Sequence, residues 1–165
     1  MLDNNRLTPI ENFDPDGACF ACGPSNPFGL HMTFFKKGDK VLSRLRVPQQ
    51  LCGWQDIIHG GIISTILDET MSWTAHHLIR KLILTRSITV DFHRPLHVEA
   101  DIQAEGWISH LKSDREAILQ ARLINTAEKT CATATGSFAL LTPKVARRLG
   151  VIDETIIEKF EKNMA

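Results

Sequence analysis

The chain has 165 residues, a length that suits one domain with a substantial core and leaves little room for a second. Lysine plus arginine balances aspartate plus glutamate at 19 each, so the chain lacks the net positive charge that non-specific phosphate binding demands, and nucleic acid is not expected as a partner. No run approaches the ~18 uninterrupted apolar residues of a membrane span, and the opening MLDNNRLTPIENF is polar and acidic where a secretory signal is basic and then apolar. No membrane attachment and a cytoplasmic setting are therefore expected.

Residues 1–29 read as a leader loop, because DPDGACFACGPSNPFG packs Pro, Gly, Asn and Asp too densely for a regular element. Two strands then follow in LHMTFF and VLSRLRV, split by a hairpin signal with Gly38 and Asp39 at the turn. From His59 to about Arg80 the sequence is apolar and long enough for a helix spanning roughly 33 Å. After it the pattern reverts to period two. In ITVDFH, Ile88, Val90 and Phe92 share one face, and Val98, Ala100, Ile102, Ala104 and Ile108 share one face of the next strand. REAILQARLI and CATATGSFALL continue the alternation, and a charged helical tail occupies 143–163. One long helix among half-polar strands predicts an α+β architecture, an antiparallel sheet of about six strands wrapped around one long central helix, known as the hotdog fold. The whole of 1–165 is expected to form this single domain.

Within the helix, Ile62, Ile63, Ile66, Leu67, Met71, Trp73, Thr74, Ala75, Leu78 and Ile79 cover about 260° of the circumference, far more than a surface helix requires. The remaining stripe holds Thr65, Asp68, Glu69, Ser72 and His76, and it reads either as a wetted surface or as the lining of a cleft. Gly60 and Gly61 begin the helix, where backbone N–H groups have no partner one turn earlier and the helix dipole is positive. Such donors suit a carbonyl oxygen that becomes an oxyanion, and glycine lets that oxygen come close. The two glycines also suit a tight turn into the helix.

The stretch HGGIISTILDE resembles the signature of hotdog-fold acyl-CoA thioesterases of the phenylacetate-pathway type, in which His-Gly-Gly is followed by an acid nine positions after the histidine. Here that acid is Asp68. CFACGPSNPFGL in the leader and VDFHRPLHVEADI after the helix extend the resemblance over roughly residues 19–141. The resemblance implies hydrolysis of an acyl-coenzyme A thioester, with Asp68 as general base or nucleophile and a Gly60 or Gly61 amide polarising the carbonyl. It also implies that Thr85 helps to place the water; His59 of the motif stands among the catalytic candidates and reads as a helix-entry residue bonding to backbone rather than as the base. Several members of that family carry Asn or Gln shortly before His-Gly-Gly; the nearest amide here is Gln55, four residues before His59. Gln55, Glu69, Arg86 and Arg94 are taken as substrate-binding candidates. No cofactor is expected beyond the coenzyme A of the substrate.

Asp68 lies seven residues beyond Gly61, about 10.5 Å along one helix axis, too far for both to act on one carbonyl. The acid must work with the amide of another subunit, which predicts a homodimer with shared sites, or a dimer of dimers. Joined edge strands would also remove exposed sheet edges.

Other candidates are sparser. Cys19, Cys22, Cys52 and Cys131 read as free thiols or metal ligands rather than a disulfide framework. Cys19 and Cys22 make a Cys-x-x-Cys with His31 as a third donor, one ligand short of a closed zinc site, and the expected metal complement is none. Cys52 and His59 form a possible nucleophile pair, and Asp56 with His59 a possible hydratase pair. Arg80, Lys81, Arg86, Arg94, Lys144, Arg147 and Arg148 are available to phosphates, while Arg80 and Lys81 also suit a helix C-terminus. Trp54, Trp73 and Trp107 suit either an acyl pocket or packing. A non-catalytic acyl-CoA or acyl-carrier binding module on the same fold is the alternative reading.

Overall fold

The structure, a computed structural model, describes residues 6–164. Seven strands form one sheet: β1 (Thr8–Ile10), β2 (Phe34–Lys37), β3 (Lys40–Arg46), β4 (Leu82–Phe92), β5 (Asp101–Ser113), β6 (Glu116–Asn125) and β7 (Thr130–Leu141). Their order across the sheet is β1-β2-β3-β5-β6-β7-β4, and every neighbouring pair is antiparallel. The seventh strand is β1, a three-residue piece inside the leader. Sequence alone reads that stretch as loop, because so short a strand has no alternation to detect. The β2–β3 hairpin turns at Gly38, whose φ of 59° suits the first central position of a two-residue turn.

The central helix α1 runs Gly60–Thr74 and continues as a wider turn over Ala75–Ile79, ended by Arg80 in the left-handed conformation at φ 59°. The sheet wraps it, as the hotdog arrangement requires. Its buried stripe of Ile63, Ile66, Leu67, Met71 and Trp73 joins Val41, Ile102, Ala104, Leu119, Leu123 and Phe138 of the strands in one core. Helix and sheet approach most closely at Gly106 of β5, where an added Cβ would stand 2.4 Å from Thr74 Oγ1 and 3.0 Å from the Thr70 carbonyl oxygen. Glycine in that strand is the condition for seating the helix. Thr70 and Thr74 are buried without cost because their hydroxyls donate to Ile66 and Thr70 carbonyls, each at 2.7 Å.

The tail is two helices, α2 (Pro143–Leu149) and α3 (Glu154–Met164). Thr142 caps the first and Gly150, at φ 61°, ends it, so the chain turns back and α3 packs Ile157 and Phe160 against Leu82 and Leu141. The leader lies over the core: Ala21, Leu30 and Met32 are buried, and Lys159 of α3 holds Asp14 at 2.6 Å. Strand β4, which follows α1 in the chain, lies at the sheet edge and pairs only with β7. It leaves Leu84 38% and Phe92 55% exposed.

Candidate active site

His59 stands immediately before α1 with extended backbone, φ −60° and ψ 137°, and its ring Nδ1 accepts from the Gly61 N–H at 3.0 Å. It is the N-cap of the helix, a role an imidazole fills here in place of the usual hydroxyl or carboxylate. The Ile62 and Ile63 amides donate to the His59 carbonyl at 2.9 and 3.1 Å. Only the Gly60 N–H has no hydrogen-bond partner among the described residues. The cap thus divides the two glycine amides: Gly61 is engaged within its own chain, and Gly60 remains as the donor at the positive end of the helix.

This helix start opens into a cleft of about 460 Å³ lined in part by Trp54, Ile57, Gly60, Phe92, His93 and Arg94. The Phe92 ring lies 3.6 Å from where a Gly60 Cβ would be. Trp54 is 86% exposed at the rim. Arg94 is fixed there by donating to the Thr130 carbonyl at 2.8 Å. Gln55 sits in the preceding loop with a φ of 52°, outside the lining of this cleft.

Asp68 is two turns further along α1. Its Oδ1 accepts from Thr85 Oγ1 at 2.9 Å. Thr85 belongs to β4 at a break in register: Thr85 pairs with Phe138 but Ser87 pairs with Ser137, leaving Arg86 as the extra residue. Such bulges re-aim side chains, and this one adjoins the residue that meets the acid. Burial pushes the Asp68 carboxyl above its ordinary value, and the Thr85 bond only partly offsets that. Arg86 itself reaches Glu116 at 3.3 Å.

Glu69, next in sequence, goes elsewhere. Successive helical residues diverge by about 100°, and the Glu69 carboxylate turns under the leader, where Oε1 accepts from Trp73 Nε1 at 3.0 Å. Cys19 and Cys22 complete its surroundings. Burial first, then the charge on Cys19, pushes Glu69 up to about 7. Cys19 is pulled down because the Cys22 thiol donates to it, and Cys22 is pushed up by the same bond and by burial. Asp68 and Glu69 therefore belong to different environments, and the polar stripe of α1 is neither a plain wet surface nor one cleft. His76, a member of the same stripe, packs against Phe13, Trp73 and Phe160 and shares a 2.8 Å hydrogen bond with the Lys81 carbonyl. Burial lowers its pKa to about 4.

Several weaker pairings dissolve in three dimensions. Asp56 faces His97 at 3.0 Å rather than His59. No hydrogen bond joins Cys52 to His59 among the described residues, and all four cysteines are free. Arg147 is committed to Glu154 and Glu161, each at 2.7 Å, and Arg80 donates to the Met164 carbonyl. The sequence offered Trp54 as a pocket or packing residue but gave no signal that Phe92, on a separate strand, would join it beside Gly60.

Residues 55–131 match the sequence model of the thioesterase superfamily. The crystal structure of a thioesterase superfamily protein aligns with a TM-score of 0.68 and 18% identity over 74% of this chain. This chain spans only 60% of that relative. The E. coli PaaI protein from the phenylacetic acid degradation operon aligns at 0.62 and 16% over 68% of this chain and 81% of its own. A hypothetical thioesterase with coenzyme A from Streptococcus pneumoniae aligns at 0.59 and 14%, over 62% and 79%. None of the curated protein sequences compared matches the chain. Sheet order, wrapped helix and these likenesses define a hotdog-fold protein. Its segment 55–131, a little under half of the chain, is the part that resembles the thioesterase superfamily.

Proposed function

We propose that the protein is an acyl-coenzyme A thioesterase acting as a homodimer, or a dimer of dimers, with each site built from two subunits. One observation carries this reading. The unpartnered Gly60 amide and the half-buried Asp68 carboxylate, both suited to thioester hydrolysis, lie eight residues apart on one helix, about 12 Å by helical rise. That distance defeats a single-subunit site, because base and oxyanion donor must both lie within hydrogen-bond reach of the reacting group. A second copy, joined along the exposed β4 edge, would bring the complementary half.

In this mechanism Asp68 accepts a proton from water as the water oxygen bonds to the thioester carbonyl carbon. The N–H of Gly60 of the partner subunit receives the developing oxyanion. The tetrahedral intermediate then expels coenzyme A by breaking the C–S bond, and the departing sulfur takes the proton from Asp68. Thr85 holds one carboxylate oxygen and leaves the other for the proton. His59 sets the helix start and does not touch the substrate. Arg94, at the mouth of the glycine cleft, is the cation placed to meet a phosphate of coenzyme A. The similarity to a thioesterase crystallised with coenzyme A supports that carrier.

The test is a panel of acyl-coenzyme A substrates followed by detection of the free thiol, with Asp68→Asn beside the native protein. Release of thiol that Asp68→Asn abolishes, with its folded oligomer intact, is the expected result. Full activity in Asp68→Asn removes that residue from the chemistry. Saturable acyl-CoA binding without thiol release replaces the enzyme with a binding module.

A further inference from the structure

Outside the proposed active site, the structure gathers two thiols and a carboxylate that thioester hydrolysis leaves without a role. The ligating atoms of Cys19, Cys22 and Glu69 all lie within 4.8 Å of one another. We propose that these three side chains form a site for a thiophilic divalent cation, zinc being the natural occupant, that fastens the leader to the central helix.

The leader half of the site is a tight turn. The Gly23 N–H donates to the Cys19 carbonyl at 2.9 Å, bringing the two cysteines of Cys-x-x-Cys to one side. The turn depends on glycine, since a Cβ on Gly23 would stand 2.2 Å from the Cys19 nitrogen and 2.5 Å from the Gly17 carbonyl oxygen. The helix contributes the third ligand. Trp73 donates to Glu69 Oε1 at 3.0 Å and leaves the other carboxylate oxygen for a further partner. Trp73 is itself held, stacked on Phe34 with ring centroids 4.9 Å apart and 17° between planes. A donor that orients a ligating carboxylate in this way is the usual outer support of a metal site.

Ligand type and spacing both select the ion. Two sulfurs and one oxygen suit zinc and exclude magnesium and calcium, which take oxygen. Bond lengths of about 2.3 Å to sulfur and 2.0–2.2 Å to oxygen put tetrahedral ligand atoms roughly 3.5–3.8 Å apart, so side-chain adjustments of about 1 Å close the site. Cys19, Cys22 and Glu69 line, with Asn12, Ser72 and His76, a cavity of about 270 Å³, which gives a fourth, water ligand room. His31, the third donor suggested by sequence, is not in the cluster and instead lines the adjoining cavity beside Cys22.

The experiment uses the full chain, reduced and stripped with a chelator, then titrated with Zn²⁺ against a chromophoric zinc indicator and separately with Co²⁺. One equivalent per chain, thiolate-to-cobalt charge-transfer absorption and a raised Tm are expected. Alkylation of the exposed Cys19 should slow on zinc addition. Glu69→Gln and Trp73→Phe should each weaken binding by roughly tenfold or more, Cys22→Ser should abolish it, and Cys52→Ser should leave it unchanged. Circular dichroism checks that each variant is folded, and the nearly isosteric Glu69→Gln keeps the test decisive if a cysteine variant fails to fold. No uptake by the native chain, a cobalt complex without thiolate bands, or equal affinity in folded Glu69→Gln or Cys22→Ser would overturn the site.

Discussion

Replacing Gly60 by proline would remove the N–H proposed to bind the oxyanion and set the ring Cδ where that proton points, while the helix start itself should be kept. Position 60 is the first residue of α1, where proline is favoured because its missing N–H is unpaired in any case. The preceding residue must be extended, and His59 is, at φ −60° and ψ 137°. The Gly60 amide has no partner to lose among the described residues, and the bonds from Ile62 and Ile63 to the His59 carbonyl remain. A Cβ there meets the Phe92 ring at 3.6 Å, an ordinary contact. Stability should therefore hold or rise by about 0.4–1 kcal/mol through restriction of the unfolded chain. Loss of one preorganised donor to an oxyanion costs about 2.7–4 kcal/mol in the transition state, so kcat should fall by roughly 10² to 10³. Steady-state thiol release gives the rate, while thermal melting and sedimentation report fold and assembly. A folded, correctly assembled Gly60→Pro protein with native kcat would refute the assignment of the helix start as oxyanion hole.

Thr85→Val removes the hydrogen bond that restrains the upward shift of Asp68. The acid limb of kcat/KM should sit above the ordinary aspartate range in the native protein and move to higher pH in the variant. As that limb moves up, the ionised fraction of Asp68 falls on its acid side, so activity there should drop; unchanged profiles would detach Thr85 from the acid. His76→Phe probes the pKa that burial lowers to about 4 from the ordinary imidazole value of 6.5. Between those values the unfolded chain binds the proton and the folded chain does not, so native stability should fall by about 3 kcal/mol as pH drops from 6.5 to 4. The native urea midpoint should fall relative to that of the variant as pH drops across that range, and a constant difference would contradict the buried neutral imidazole. Gly106→Ala should destabilise by about 1–3 kcal/mol, because its Cβ meets Thr74 and the Thr70 carbonyl; a native Tm would show that the helix can lift.

Local order is written along the chain. A long apolar run with glycines at its start makes α1, and period-two alternation makes β5, β6 and β7; the first follows from length and burial, the second from the pleat of a strand that buries one face. The repeat of polar residues also showed that α1 carries a stripe that the core does not absorb. What meets that stripe comes from the three-dimensional arrangement of the strands and the leader. Thr85 reaches Asp68 because β4 lies at the edge beside β7 with a bulge at Arg86, and Glu69 reaches Cys19 and Cys22 because the leader folds across the helix. Periodicity fixes the direction in which a side chain points. The neighbour it finds depends on strand order and loop path, set by long-range packing of segments that share no local pattern.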